Sequence, residues 1–354
     1  MEILKEGGVT APKGFKAASV AAEIKYKNRT DMAMIYSEKP CTQAGVFTSN
    51  IVKAAPVRWD KAVVSDSPYA QAVVVNSGIA NACTGNEGYE YCNQSAQCVA
   101  ECLDIPKSSV LVASTGVIGK QLPMDRIAKG IKMLSESLED TIEAGTRAAE
   151  AIMTTDTVSK QVAVKFTVGG KEVIMGGMCK GSGMIHPNMC TMLGFVTTDL
   201  AISKELLQKA LSENVVDTFN MVSVDGDTST NDTLVILANG MAGNEMITEE
   251  NEDYEKFKEA LNYVNTTLAK KMASDGEGAT ALFETKVIHA KTKEDARILS
   301  KSVICSSLTK AAIFGHDANW GRILCALGYS GVQFDPENIE LYFEGENGKI
   351  QIYK

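Results

Sequence analysis

Short apolar segments of strand length recur along this chain, interleaved with four segments of helical periodicity. The helical pattern is found in residues 86–103, 123–138, 203–219 and 253–272. The apolar segments predict strands at 71–76, 109–114, 161–167, 172–178, 193–198, 219–224, 233–238 and 282–290. Because helices and strands do not alternate as regular βαβ units, the pattern predicts a layered α/β or mixed α+β fold rather than a doubly wound nucleotide-binding sheet.

The 354 residues suffice for one large domain or two ordinary ones. Hydrophobic residues make up 45% and charged residues 22%, as is usual for globular proteins. We expect an α/β core over residues 1–283 and a smaller C-terminal α/β domain over 284–354, which ends in the strand-and-turn text LYFEGENGKIQIYK.

Charge and cysteine content exclude several classes of function. A net charge of −9 disfavours nucleic-acid binding, which needs a basic face. The nine cysteines form no C-x-x-C pair and there are only three histidines, so no metal site is expected. The N-terminal segment has no apolar signal region and no long apolar run follows it. We therefore expect a soluble cytoplasmic protein without a membrane partner, and thiols suit that reducing compartment.

Familiar catalytic motifs fail on single residues. A P-loop that includes Gly119 would need another glycine five residues earlier, where Ser114 stands. A nucleophile elbow at Ser182 would need glycine at Lys180. An EF-hand beginning at Asp225 would need glutamate at Ile236. No spacing supports a Ser-His-Asp triad.

Glycine and small polar residues are concentrated in four blocks, which are 76–78, 114–119, 154–157 and 180–191. Glycine lets a backbone approach a ligand closely. A strand followed by Thr115-Gly116 suits a turn whose N–H groups could hold an oxyanion. Tight turns between strands would give the same composition, so composition leaves both interpretations open.

Six motifs together resemble the ornithine acetyltransferase (glutamate N-acetyltransferase) family of arginine biosynthesis. They run in order through nearly the whole chain and are STGVIG, MTTDT, MCKGSGMIHPNMCTMLGFVTTD, DGDTSTND, DGEGAT and GHDANWGRI. The resemblance implies an N-terminal-nucleophile-like, self-processing fold and an acetyltransferase activity.

The resemblance implies that the chain cuts itself between Cys190 and Thr191, giving residues 1–190 and 191–354. The Thr191 hydroxyl would attack the carbonyl of Cys190, shift the acyl group from nitrogen to oxygen, and water would release it. The freed α-amine has a reference pKa of about 8 and can act as the base for its own hydroxyl. Such a nucleophile needs no catalytic histidine.

The resemblance also implies a ping-pong transfer of acetyl from N-acetylornithine to glutamate through an acetyl ester of Thr191. Thr115 and Gly116 match the oxyanion hole of the family, and Thr154, Lys180 and Glu277, with Thr191, match its substrate contacts. No cofactor is implied, and the sequence leaves open whether acetyl-CoA is a second donor. The implied assembly is a heterotetramer of two α and two β chains.

Three departures from the family pattern accompany the resemblance. Position 190 is Cys where the family most often has Ala, and Ile79 stands where Asn is expected. The family also continues beyond the equivalent of Lys354 with an Asn and a terminal Thr or Ser in the substrate pocket, so we expect an incomplete C-terminal domain. Two alternatives stay open: a self-processing amidohydrolase or aminopeptidase that uses water as acceptor, and a non-catalytic amino-acid-binding protein.

Overall fold

The computed structural model describes residues 1–185 and 192–354. The predicted cleavage site, Cys190 and Thr191, lies outside the described residues. The strands are β1 (Glu2–Ile3), β2 (Phe15–Val20), β3 (Met32–Phe47), β4 (Ala70–Ile79), β5 (Val110–Val117), β6 (Lys160–Val168), β7 (Lys171–Lys180), β8 (Leu193–Thr198), β9 (Thr233–Ala238), β10 (Leu341–Gly345) and β11 (Gly348–Tyr353). The α-helices are α1 (Ala55–Asp66), α2 (Gly85–Leu103), α3 (Met124–Glu136), α4 (Ile142–Ala151), α5 (Lys204–Asp217), α6 (Glu252–Ser274), α7 (Lys293–Cys305), α8 (Ser307–Phe314) and α9 (Trp320–Gly328).

Among the described residues, the long strand β3 joins the two halves of a nine-stranded sheet. Its first part pairs with β2 and β4, and its last six residues, Thr42–Phe47, pair with β9. The register shifts between Tyr36 and Cys41, where exposed residues 38–40 interrupt the pairing with β4. One half of the sheet therefore contains β2 to β5, and the other contains β1 and β6 to β9.

Three hydrophobic clusters arrange these halves into layers. Alternate residues of a strand face opposite sides of a sheet. Val73 and Val75 accordingly lie in the cluster between the two halves, whereas Ala72 and Val74 lie in the cluster beneath α2 and α3. Helices α5 and α6 cover the outer face of the other half. The result is helix, sheet, sheet and helix in four layers, and the predicted layered α/β class is confirmed.

Two parallel strand pairs bring the glycine-rich blocks together. The β4–β5 pair, connected through α2, places Ser77 beside Thr115 and Gly78 beside Gly116. The β8–β9 pair, connected through α5, places Leu193 beside Thr233. Since parallel strands end at the same edge of a sheet, the segments that adjoin these residues meet in one region.

The smaller C-terminal unit has a hydrophobic cluster of its own. Leu299 and Val303 of α7 pack with Ile323 and Leu327 of α9, and the β10–β11 hairpin contacts them through Phe343. The predicted domain boundary after residue 283 stays a prediction.

Two predicted strands are wrong. Residues 219–224 contain one turn of 3₁₀-helix, Phe219–Met221, and residues 282–290 are irregular. The apolar residues Phe219 and Val222 are buried, as a strand prediction requires, but they reach the core from a turn. Within the described residues, no helix is both long and apolar enough to cross a membrane.

Candidate active site

A cavity of about 380 Å³ opens where β4, β5 and β7 end. Its volume lies in the range of small-molecule sites, about 300–1,000 Å³. The five described residues that the sequence analysis selected all line it, although they come from four separate segments: Thr115, Gly116, Thr154, Lys180 and Glu277. Their proposed roles remain predictions, but the structure brings them to one place.

The described residues on either side of the predicted nucleophile are held by one loop. The N–H groups of Met184 and Ile185 donate to the Asp225 carboxylate, and the Met192 N–H donates to Asp232 Oδ1 at 2.9 Å. Met184 also lines the cavity. The loop 225–232, which contains the DGDTSTND motif, thus holds both flanks of the segment in which Thr191 lies.

Gly116 occupies a position that no other residue fits. Its φ of +131° lies outside the range of ordinary side-chain-bearing residues. A Cβ atom there would lie 2.3 Å from the Gly78 carbonyl carbon. Glycine is therefore needed for the close approach of β4 and β5 at the wall of the cavity.

Lys180 is a buried cation at the end of β7. Its Nζ donates to Thr154 Oγ1 at 2.9 Å and to Thr115 Oγ1 at 3.5 Å, and it lies 3.8 Å from Asp156 Oδ2. Burial lowers the pKa of Lys180, although the Asp156 carboxylate acts in the opposite direction. A substrate carboxylate entering the cavity would stabilise the ammonium form.

Asp156 links Lys180 to a second buried lysine. Its carboxylate accepts from Lys160 Nζ at 2.7 Å, from the Gly181 N–H at 2.7 Å and from the Thr154 N–H at 3.1 Å. Burial alone would raise the pKa of Asp156, but the ammonium groups of Lys180 and Lys160 outweigh it and the pKa is lowered. Asp156 belongs to the MTTDT motif, but the sequence did not assign it a role. The opposite charges of Asp156 and Lys160, four residues apart at the start of a buried strand, were the signal that could have found it.

The DGEGAT segment, 275–280, supplies Glu277. The Glu277 N–H donates to the Ser182 carbonyl at 3.0 Å, and a Cβ on Gly183 would lie 2.2 Å from Glu277 Oε2. Asp275 of the same segment accepts from Lys160 Nζ at 2.6 Å. The backbone of Glu277 is thereby anchored to the glycine-rich 180–185 segment, and its carboxylate lies against Gly183.

Asn231 and Asp232 are two buried residues that the sequence analysis did not select. Asn231 Nδ2 bridges the carbonyls of Ala80 and Ser114 at 2.6 and 2.8 Å, which ties the motif to β5. Burial raises the pKa of Asp232 well above its ordinary value, and among the described residues its Oδ2 has no hydrogen-bond partner. In the sequence, the signal that could have found them is their position directly before the apolar strand β9.

A family model for the ArgJ family matches residues 16–354. The chain belongs to the ArgJ family. The arginine biosynthesis bifunctional protein ArgJ 1 of Clostridium acetobutylicum is 51% identical over 352 residues, which cover 99% of this chain and 85% of the relative. The ArgJ protein of Caldanaerobacter subterraneus subsp. tengcongensis is 52% identical over 352 residues, covering 99% and 86%.

A solved ArgJ structure is also similar to this chain. The crystal structure of the arginine biosynthesis bifunctional protein ArgJ from Bacillus halodurans is 44% identical, with a TM-score of 0.51, and covers 54% of this chain and 97% of that chain. ArgJ family membership confirms the resemblance inferred from the six motifs.

Proposed function

We propose that this ArgJ family member, an acetyltransferase of arginine biosynthesis, moves acetyl from N-acetylornithine to glutamate through an acetyl ester of Thr191. The observation that carries the proposal is the cavity that gathers Thr115, Gly116, Lys180 and Glu277. A buried lysine suits a substrate carboxylate, and a glutamate suits an ammonium group. The cavity therefore suits amino-acid substrates.

The reaction would proceed in two half-reactions. The Thr191 hydroxyl attacks the acetyl carbon of N-acetylornithine while its own α-amine takes the hydroxyl proton and passes it to the leaving ornithine nitrogen. Thr115 and Gly116 would stabilise the oxyanion, and the loss of one such donor costs about 100–1,000-fold in rate. The α-amine of glutamate then attacks the ester and releases N-acetylglutamate.

Self-cleavage before Thr191 would create the nucleophile, and two observations support it. The loop 225–232 holds residues on both flanks of the cleavage site, through Asp225 and Asp232. The solved Bacillus halodurans chain covers 54% of this chain, and the fragment 1–190 would comprise 190 of 354 residues, about the same share.

Intact mass spectrometry of the denatured protein tests the cleavage. We expect two fragments that separate at Cys190–Thr191 in the wild type and in Cys190→Ala, because either small residue leaves the attacked carbonyl accessible. Thr191→Ala should remain one uncut chain without transferase activity. An uncut wild type, or a cut Thr191→Ala chain, would refute the nucleophile assignment.

Product analysis distinguishes the transferase from a hydrolase. With N-acetylornithine and glutamate, we expect N-acetylglutamate to exceed acetate among the products. A dominant acetate product would favour the amidohydrolase alternative, and tight binding without turnover would favour a non-catalytic protein. Adding acetyl-CoA in place of N-acetylornithine tests whether acetyl-CoA is a second donor; no other cofactor is proposed.

We further propose a cytoplasmic enzyme assembled from two copies of each fragment. Cysteines without disulfide bonds among the described residues support a reducing compartment. The assembly is carried over from the family resemblance, and native mass spectrometry of the cleaved protein measures it.

A further inference from the structure

The loop between β2 and β3 forms part of the cavity wall and carries two cations. Lys25, Tyr26 and Arg29 line the cavity from this loop. Asp31 fixes the loop, because its carboxylate accepts from the N–H groups of Ala22 and Ile24 at 2.7 and 2.6 Å. The cations are thus held on an anchored turn.

Lys25 and Arg29 lie on the Tyr26 ring. Lys25 Nζ is 4.6 Å from the ring centroid and the Arg29 guanidinium carbon is 6.0 Å from it. Arg29 also donates to the carbonyls of Met153 and Thr154 at 2.7 and 3.3 Å, so its charge adjoins the Thr154 side of the cavity. We call Lys25, Tyr26 and Arg29 the cationic ledge.

Within the ledge, Lys25 lies beside the predicted oxyanion hole. A Cβ on Gly78 would lie 3.1 Å from Lys25 Cβ, and Gly78 is the pairing partner of Gly116. The absence of a side chain at Gly78 therefore leaves room for the stem of Lys25. The Lys25 side chain is exposed and lines the cavity.

The other charged residues at or beneath the cavity are either cations paired with carboxylates or carboxylates themselves. Lys180 and Lys160 adjoin Asp156 and Asp275, which balance their two charges. Glu277 and Asp31 are carboxylates on the cavity wall, and Asp31 interacts electrostatically with Arg29. The ledge therefore adds positive charge to the cavity that the buried lysine–aspartate cluster does not neutralise.

A single ping-pong site has to accept side chains of opposite charge. Both substrates react through the α-nitrogen, so their side chains enter the same part of the cavity. The side chain of ornithine ends in an ammonium, which Glu277 suits, whereas that of glutamate ends in a carboxylate. A carboxylate next to Glu277 requires a nearby cation to offset the like-charge repulsion.

We propose that Lys25 binds the side-chain carboxylate of the acceptor and selects glutamate over glutamine. This inference rests on the proposed function. Lys25 acts as a specificity-determining residue for the second half-reaction, and Arg29 of the same loop adds positive potential. The first half-reaction does not use the ammonium of Lys25, because the ornithine side chain is itself a cation.

Lys25→Met removes the charge and keeps most of the apolar stem, which makes it the decisive variant. We expect kcat/KM for glutamate to fall about 10-fold, mainly through a higher KM. The free energy lost would lie between the contribution of an exposed ion pair and that of a charged hydrogen bond shielded from water. The kcat/KM for glutamine should not change, and the rate of ornithine release in a single turnover should stay as in the wild type. Lys25→Arg, which keeps the positive charge, should retain the preference for glutamate.

Lys27→Met is the matched control, since Lys27 is exposed on the same loop and is not among the described residues that line the cavity. An unchanged glutamate-to-glutamine ratio in Lys25→Met, or an equal loss for both acceptors, would overturn the role of Lys25. A rise only in the KM for acetyl-CoA would overturn it as well, since the ledge would then bind phosphate. Wild-type enzyme that releases only acetate would instead refute the proposed function and, with it, any acceptor subsite.

Discussion

Two lysines and two aspartates form a buried charge cluster beneath the cavity. Lys160 lies between Asp156 and Asp275 at 2.7 and 2.6 Å, and Lys180 lies 3.8 Å from Asp156. The side chain of Asp156 is 0% exposed. The position of Lys180 next to Thr154 therefore depends on a carboxylate that does not itself line the cavity.

Asp156→Asn should destabilise the protein and weaken the positioning of Lys180. The substitution leaves buried ammonium groups without their carboxylate, a change that costs about 3–5 kcal/mol in the free energy of unfolding. Denaturant titration measures this loss. Asp66→Asn, on the exposed face of α1, is the control and should change the free energy by less than about 0.5 kcal/mol.

The effect of Asp156 should also depend on pH. Its folded-state pKa is lowered from 3.8, so its carboxylate contributes stability above that value and loses the contribution as pH falls through the folded-state pKa. The difference in the free energy of unfolding between wild type and Asp156→Asn should therefore be largest at neutral pH and should shrink below about pH 4. A difference that grew in acid would contradict the assigned charge.

At the scale of elements, the loop 225–232 connects the two flanks of the predicted cleavage site. Asp225 accepts from Met184 and Ile185, and the Val224 N–H donates to the Ile185 carbonyl at 2.6 Å. Met184 has a φ of +59°, uncommon for a residue with a side chain. The contacts of the loop hold the backbone in this conformation next to the segment of the predicted cleavage site.

Asp225→Ala should slow self-cleavage by roughly 10-fold, because it removes the acceptor of three backbone N–H groups, those of Met184, Ile185 and Asp227, at an exposed site. A time course of intact masses after pulsed synthesis measures the rate. Asp227→Ala is the matched control, since Asp227 is exposed on the same loop and only its backbone N–H contacts Asp225. Equal cleavage rates in the two variants would show that Asp225 has no part in maturation.

At the scale of the whole molecule, the C-terminal unit contacts the segment that leads into this loop. Arg297 pairs with Asp217 at 2.6 Å. Lys310 Nζ donates to the carbonyls of Ser223 and Val224 at 2.9 and 2.6 Å. Helices α7 and α8 thereby support the backbone immediately before Asp225.

Lys310→Met should lower the free energy of local unfolding of residues 219–225 by about 1 kcal/mol, since it removes two hydrogen bonds from a charged donor at a half-buried position. Amide hydrogen exchange in that segment should speed up several-fold while exchange in β8 and β9 stays unchanged. Lys291→Met, an exposed lysine just before α7, serves as control. Faster exchange throughout the sheet would point to general destabilisation instead.

The sequence predicted helices and strands best where a single hydrophobic periodicity extends over the whole element. The stripe in 123–138 became α3, and the strand 193–198 has the predicted bounds. It did not predict β3, because Glu38, Lys39 and Pro40 interrupt that strand with exposed residues typical of a turn. It predicted a strand at 219–224 because apolar content alone does not distinguish a strand from a buried turn.

By itself the sequence determined the family and the residues that match its motifs, among them Thr115, Lys180 and Glu277, because local strings of residues carry that information. Only the tertiary structure decided that these residues share a cavity, since parallel pairing and loop contacts bring together segments as distant in the chain as those of Thr115 and Glu277. It also decided that Lys25 faces this cavity. The effect of a charged side chain depends on its neighbours and its burial, and here those neighbours come from distant parts of the chain.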